Sequence, residues 1–490
     1  MTWRWFTLAL VALGCVTEGS PRERAIASAM AEADELLVRH RPALAAGKYE
    51  RMSSDLYAFY RGTVPLYRRD VADPSMVVAQ TTAPAGAMPL SLGDAHPENF
   101  GTLQAADGSF ALEPNDFDGA DRFPYHWDLR RLTVGLVLAA RLSNPDDADA
   151  RAATAAEAPS IVQAAVGSYL NTIGARALGV AGGRVEDDPI LSSLIRDAFR
   201  RSVRDLETRD ELAELTELTA EGRRFRRGVL DPDEPTSALL EVPAVVRDAL
   251  PATLDEYRRS LLIAVPAEFF TVVDVVRQLG SGVASWPRVR MLVLVRGVSD
   301  APDDDVILEV KELAPSGRTD APPGSWLGDD LPERIRRTTR AAWARPDGEP
   351  FWSGAFLLGI PVQIRLEAER HKTLRVDRME EDEGTPDDLR ATATSLAGIL
   401  ARVHTTSLDG EDVARELATS MPVGLGPARD AFVIDEVARA LAYADQVEAD
   451  WVLFQQLVAR EGPGLGLVPL GDDGGRRVEV GLRALFEGDE

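Results

Sequence analysis

Gly93-Asp94-Ala95-His96-Pro97-Glu98-Asn99-Phe100-Gly101, followed sixteen residues after Asn99 by Asn115-Asp116-Phe117-Asp118, is the stretch on which the fold assignment turns. An Asp, an Asn five positions on, and a second Asp heading an Asp-Phe pair give the polar order of a magnesium-dependent phosphoryl-transfer site. In that chemistry Asp94 orients or deprotonates the attacking hydroxyl, while Asn99 and Asp116 supply hard oxygen ligands to the cation. Asp118 adds a metal contact or caps the following turn. Asp and Asn bridge turns in any loop, but here the polar run lies between apolar strands and is repeated after a short hairpin. His96 either hydrogen-bonds Asp94 or is a satisfied loop histidine. Asp128, opening a helix, is an N-cap or accepts the backbone amides of the catalytic loop.

Outward from this stretch the chain divides by pattern. Ser20-Pro21-Arg22-Glu23 is a capping box with Pro at the first helical position. Ile26, Met30, Ala33 and Leu37 continue at helical spacing, predicting an amphipathic helix to about His40. Met76 to Leu92 reads as an extended approach to Asp94, and residues 110–112 as a short strand. The Asp128 helix is stopped by Ser143-Asn144-Pro145. From residue 150 to about 262 the pattern is mostly helical, with charge runs such as Arg223 to Arg227 as solvated faces. Near residue 265 the character changes. Residues 272–279, 289–295, 306–313, 355–358 and 361–366 are apolar, β-branched runs bounded by turn residues, interrupted by one helix opening at Asp330. The C-terminal part returns to helix, including 396–404 and 435–458.

Strand, glycine turn, strand, loop, strand with Lys, then helix is the order of a kinase small lobe. Glycines let backbone amides approach phosphate oxygens, and a third-strand Lys pairs phosphates while a helix Glu holds its ammonium. Here these are Gly280-Ser281-Gly282, Lys311 and Glu333. The plainer alternatives are a Gly-x-Gly hairpin turn, an exposed strand Lys, and a Glu333 that completes the capping box of Asp330.

Composition limits the partners. The net charge is −25, from 79 acidic and 54 basic residues, so the chain lacks the basic footprint that nucleic acid requires. With 45 % hydrophobic residues it is not an acidic disordered tail. Its length of 490 residues calls for two or three substructures. Only Lys48, Lys311 and Lys372 are Lys, so Arg fills nearly every generic basic position and each Lys stands out. The first fifteen residues read as an export signal. Ala12-Leu13-Gly14-Cys15 resembles a lipoprotein signal-peptidase box whose Cys15, the single cysteine, is lipidated. The apolar core before it is too short to span a membrane.

Further pieces carry a family resemblance: Phe59-Tyr60-Arg61-Gly62, Trp127-Asp128-Leu129-Arg130-Arg131-Leu132, Val310-Lys311-Glu312, Leu400-Ala401-Arg402-Val403-His404 and Tyr443-Ala444-Asp445-Gln446. With the Asp94 and Asp116 motifs, they make residues 50–460 resemble the bacterial family known as domain of unknown function 2252. Its site is similar to that of aminoglycoside-phosphotransferase-type kinases. That resemblance implies Asp94 as base, Asn99 and Asp116 as metal ligands, and Asp128 as support of the loop. Two departures stand out: the small-lobe elements follow the catalytic loop, and Ser285 replaces a glycine before Trp286-Pro287.

The expected fold is therefore α+β, a kinase-like two-lobe architecture in circularly permuted order, allowed where chain ends lie close together. Its parts are a signal peptide (1–14), a lipidated N-terminus and first helix (15–49), a first part of the large lobe (50–262), a β-rich small lobe (263–375) and a second helical part (376–490). The expected function is transfer of a phosphoryl or nucleotidyl group from ATP or another nucleoside triphosphate, with Mg2+, to an unidentified hydroxyl, on the periplasmic side of a bacterial membrane. A non-catalytic, kinase-fold binding lipoprotein is the alternative. An Asp94-x-His96 two-metal phosphoesterase is weaker, because the chain has only five histidines.

Overall fold

Alternation of β-branched and polar residues builds the middle of the chain into an antiparallel sheet. The computed structural model describes residues 19–467 apart from 81–87, 209, 232–233, 281, 284–287, 298, 300, 314–329, 368–370, 377–384 and 409. The export segment with Cys15, and Ser281, lie outside the described residues. The protein is α+β. Its main sheet runs Ser353–Leu357, Ile360–Leu366, Val306–Glu312, Arg290–Val295, Val272–Leu279, Glu234–Leu240, Gly228–Asp231, every neighbour antiparallel. On one face Met291, Val293, Leu308, Val310, Val362 and Ile364 pack with Val246, Leu250 and Leu254 of the helix Ala244–Ser260. The intervening positions give the other face, which carries Arg290, Glu309, Lys311, Gln363 and Arg365 at one end.

Residues 216–240 correct the helical expectation for 150–262. Thr216–Thr219 and Gly222–Phe225 form a hairpin, and the next two strands complete the sheet edge before residue 263. Gly222 and Gly228 sit at φ 127° and 114°, which interrupts any helix there. Asp274 accepts the Phe225 amide at 2.8 Å and pairs with Arg227 at 2.9 Å, so the charge run partly serves the sheet.

The helical body takes its core from both ends of the chain. Ile26, Tyr49, Leu136, Ile161, Leu396 and Phe454 belong to one buried cluster. The Ser20–Glu23 capping box is present, and Arg22 joins Asp70 (2.6 and 2.7 Å) to Asp450 (2.5 and 2.8 Å), tying the first helix to the last, Pro427–Glu461. The expected first helix is two, Pro21–Ala33 and Glu35–His40. At the break, the buried Asp34 accepts hydrogen bonds from Lys48 (2.7 Å) and Tyr49 (2.9 Å), which accounts for Lys48 structurally. Among the described residues no helix is long and apolar enough to cross a membrane.

Candidate functional site

A hairpin brings the two polar motifs together. Phe100–Gln104 pairs with Phe110–Pro114 in the register Phe100↔Pro114, so the chain enters at Asn99 and leaves at Asn115 side by side. The Asn115 amide donates to the Asn99 carbonyl at 3.1 Å, and Asp116 follows directly. The loop before the hairpin turns at Gly93 (φ 79°), where a Cβ would lie 2.2 Å from the Gly119 carbonyl oxygen, so only glycine fits.

Asp128 holds this loop from beneath. Its helix begins at Tyr125, so Asp128 is not the N-cap; its buried carboxylate accepts the Leu92 and Gly93 amides at 2.5 and 2.9 Å. His404 Nε2 lies 3.3 Å from the same carboxylate and Tyr169 Oη 2.6 Å from His404 Nδ1, a buried chain ending under the Asp94 loop.

Arg131, not His96, orients Asp94. Arg131 Nε donates to Asp94 Oδ1 at 2.7 Å, with its guanidinium 3.8 Å from the centre of the Tyr60 ring. His96 Nε2 is 3.7 Å from Asp94 Oδ2, too far for a hydrogen bond, and His96 Nδ1 is buried without a hydrogen-bond partner among the described residues. Burial, then the Arg61 and Arg131 charges, hold the His96 imidazole well below its ordinary pKa, so it is neutral. Both sequence readings of His96 are thereby corrected. Asn99 donates through Nδ2 to the Asp94 carbonyl at 2.7 Å, which leaves its amide oxygen for the cleft.

The β-rich segment supplies the opposite wall. Lys311 on the strand Val306–Glu312 forms an ion pair with Asp118, whose other oxygen accepts Gln363 Nε2 at 3.2 Å. Burial alone would raise the Asp118 carboxyl; the Lys311 ammonium holds it below the usual range. Lys311 thus engages Asp118, the carboxylate expected as a further cation contact. Glu333 is corrected. Its amide is capped by Asp330 and its carboxylate pairs with Arg336 at 2.8 Å on the same helix, so Lys311 finds its acid in Asp118. Gly280 and Gly282 take φ 75° and 80° in the turn between two sheet strands.

Asp94, Asn99, Asp116, Gly282 and Lys311 line one cavity of about 440 Å3, within the roughly 300–1,000 Å3 range of small-molecule sites. Residues 39–457 match the family described as an uncharacterized protein conserved in bacteria (DUF2252). The chain belongs to that family. No curated protein and no solved structure matches it. The DUF2252 span contains every cavity residue and leaves Cys15 outside.

Magnesium is the cation implied by the motif order. Among the described residues, no group of three or more His, Cys, Asp or Glu could hold a metal. Magnesium, however, needs only one or two carboxylates beside phosphate and water, and Asp116 with the Asn99 amide oxygen fits that smaller set. Burial and then the charge of Asp118 push the Asp116 carboxyl up to about 6. The sign follows from linkage: a raised acid opposes folding above its folded pKa and is silent below its unfolded value of 3.8. Asp116→Asn, which keeps the acceptor for the Asp118 amide (3.0 Å), is expected to raise stability at pH 7.5 by up to roughly 3 kcal/mol. The gain should fade as pH falls from 6 toward 4. Urea unfolding at both ends of that window checks it, and an equal gain at both would contradict the assigned cause.

Arg131 escaped the sequence reading because an Arg inside a helix reads as a solvated face. Lys372 also lines the cavity, 2.8 Å from Asp205. The rarity of Lys in this chain is the one sequence signal that points to it.

Proposed function

We propose that this DUF2252 protein is a kinase-like phosphotransferase, binding a nucleoside triphosphate with Mg2+ and transferring a phosphoryl or nucleotidyl group to a hydroxyl. The observation that carries the reading is the meeting of Asp94, Asn99 and Asp116 with Lys311 around one cavity. Asp94 accepts the proton of the acceptor hydroxyl through Oδ2, the oxygen that Arg131 leaves without a hydrogen bond. Arg131 fixes the angle of that carboxylate, and Asp128 fixes the loop beneath it. Asn99 and Asp116 hold the cation, which would neutralise charge on the phosphate chain. Lys311 exchanges its Asp118 partner for phosphate oxygens. On this reading the sheet is the small lobe of a permuted kinase-like fold, with the helical body closed by both chain ends, and Cys15 anchors the exported protein by lipid.

Melting the full chain with and without Mg·ATP tests the reading. A ligand at a hundredfold excess over its dissociation constant stabilises the native state by about 2.7 kcal/mol, so a clear upward shift is expected, and one much smaller in Lys311→Met. No shift with any nucleoside triphosphate would sink it.

The scaffold alternative draws on a different fact. Arg131 engages Asp94 and Lys311 engages Asp118, so the ions of the site already satisfy one another. On that view Lys311→Met leaves ligand binding untouched. The phosphoesterase is poorer, because a two-metal site needs a cluster of ligands and, among the described residues, no group of three or more His, Cys, Asp or Glu could hold a metal.

A further inference from the structure

Three cations share one face of the sheet. Arg290 stands opposite Lys311, Lys311 opposite Gln363, and Arg365 one step along opposite Glu309. Opposed residues of antiparallel strands project to the same face, and Arg290, Lys311, Gln363 and Arg365 all line the cavity. Both guanidiniums lie against one buried carboxylate: Glu309 Oε1 accepts Arg365 Nε at 2.9 Å, and Glu309 Oε2 is 3.2 Å from Arg290 Nη1, an ion pair without hydrogen-bond geometry. Glu309 is 1 % exposed, so it orients the pair without facing the ligand itself. The Arg365 guanidinium also stacks 4.7 Å from the Trp352 ring centre. Such pinning removes the rotamer entropy a free Arg would lose on binding. An Arg held in this way presents a planar fork that matches phosphate oxygens.

The rest of the cavity points the same way. Seven Lys or Arg and four Asp or Glu line it, in a chain whose net charge is −25. From the glycine turn, Gly282 is the glycine that reaches the lining, whereas three cationic side chains do. Trp352, the tryptophan of the lining among the described residues, has its face covered by Arg365 rather than open to a base.

We infer that this sheet face is a side-chain cradle for a phosphoanhydride chain, so that the protein recognises a di- or triphosphate as such. Inorganic tripolyphosphate and the triphosphate of a nucleotide are bound by Arg290, Lys311 and Arg365 alike. This deepens the proposed function and rests on that site, but it places recognition in the phosphates rather than in the base.

Calorimetric titration of the full chain, in the presence of Mg2+, with tripolyphosphate, ATP and adenosine separates the two sources. Dissociation constants for tripolyphosphate and ATP are expected to agree within about tenfold, with no heat from adenosine. Glu309→Gln combined with Arg365→Gln removes a cation together with the anion it neutralises, stranding no buried carboxylate. It is expected to weaken both phosphate ligands by about tenfold or more, the loss of a charge-assisted fork. Arg290→Gln, which leaves Glu309 its Arg365 partner, reads the same face should the double variant fold poorly. ATP binding without tripolyphosphate binding would overturn the cradle and leave the nucleotide reading standing. Failure of both ligands would overturn both. Unchanged affinities in the folded variants would remove these arginines from recognition and overturn the inference.

Discussion

Replacing Asp94 by Asn is expected to cut the proposed transfer by a factor of about 10²–10⁴, the range of a lost general base, with little change in stability. The Asn oxygen still accepts from Arg131, so the 2.7 Å contact that orients the group survives while the proton acceptor is lost. Asp94→Ala is a different experiment. Arg131 is 1 % exposed and enclosed by Tyr60 and Tyr67; without Asp94 its charge is buried and unpaired. Stranding one partner of a buried pair costs about 3–5 kcal/mol. Asp94→Ala is thus expected to lose both the proposed transfer and stability. Initial rates for the Asn variant and urea unfolding for the Ala variant separate the effects. An Asp94→Ala chain as stable as the parent would remove Arg131 from the account.

The second large effect lies away from the cavity. Arg130 and Glu436 form a bidentate pair at 2.9 and 2.6 Å, both essentially without solvent exposure. Arg130 sits on the helix Tyr125–Leu142, which also carries Asp128 and Arg131, and Glu436 on the C-terminal helix. Glu436→Ala is expected to cost about 3–5 kcal/mol. The double change Arg130→Met with Glu436→Leu should recover most of that, because an apolar pair of similar volume escapes the desolvation cost. Chemical denaturation of the two variants measures the difference. Equal losses would mean that the pair itself, rather than the stranded arginine, carries the stability.

One helix turn explains both predictions and shows where sequence reading stopped. Arg130 and Arg131 look like polar residues on a solvated stripe, yet both are buried, Arg130 against Glu436 and Arg131 against Asp94. A helix buried nearly all round carries no stripe by which to sort its faces. The strands from 272 to 366 were legible because β-branched runs between turn residues leave little choice. Residues 216–240 were not. Two of their strands form a separate short, charged hairpin and two more end the main sheet, so the charge run mimics an exposed helix.

The candidate site was legible for a different reason. Asp94, Asn99 and Asp116 lie within one hairpin's reach, so local spacing largely sets their geometry. The pairing of Lys311 with Asp118 instead spans 193 positions, and only the tertiary fold brings it about. Glu333 failed for the complementary reason: a short-range capping partner, Asp330, was the better explanation of its position. His96 lay in the right motif with the wrong surroundings, since burial decides its charge and no spacing rule reports burial.

The central claim is that one ligand is shared between the Asp94–Asp116 hairpin and the Lys311 sheet. A crystal structure of the full chain with Mg2+ and a non-hydrolysable nucleoside triphosphate measures it directly. The account predicts phosphate oxygens about 3 Å from the Lys311 ammonium and the cation on Asp116, with Asp94 Oδ2 facing the terminal phosphate. A nucleotide bound elsewhere, or a cavity that stays free of phosphate at saturation while Lys311 keeps Asp118, would contradict it.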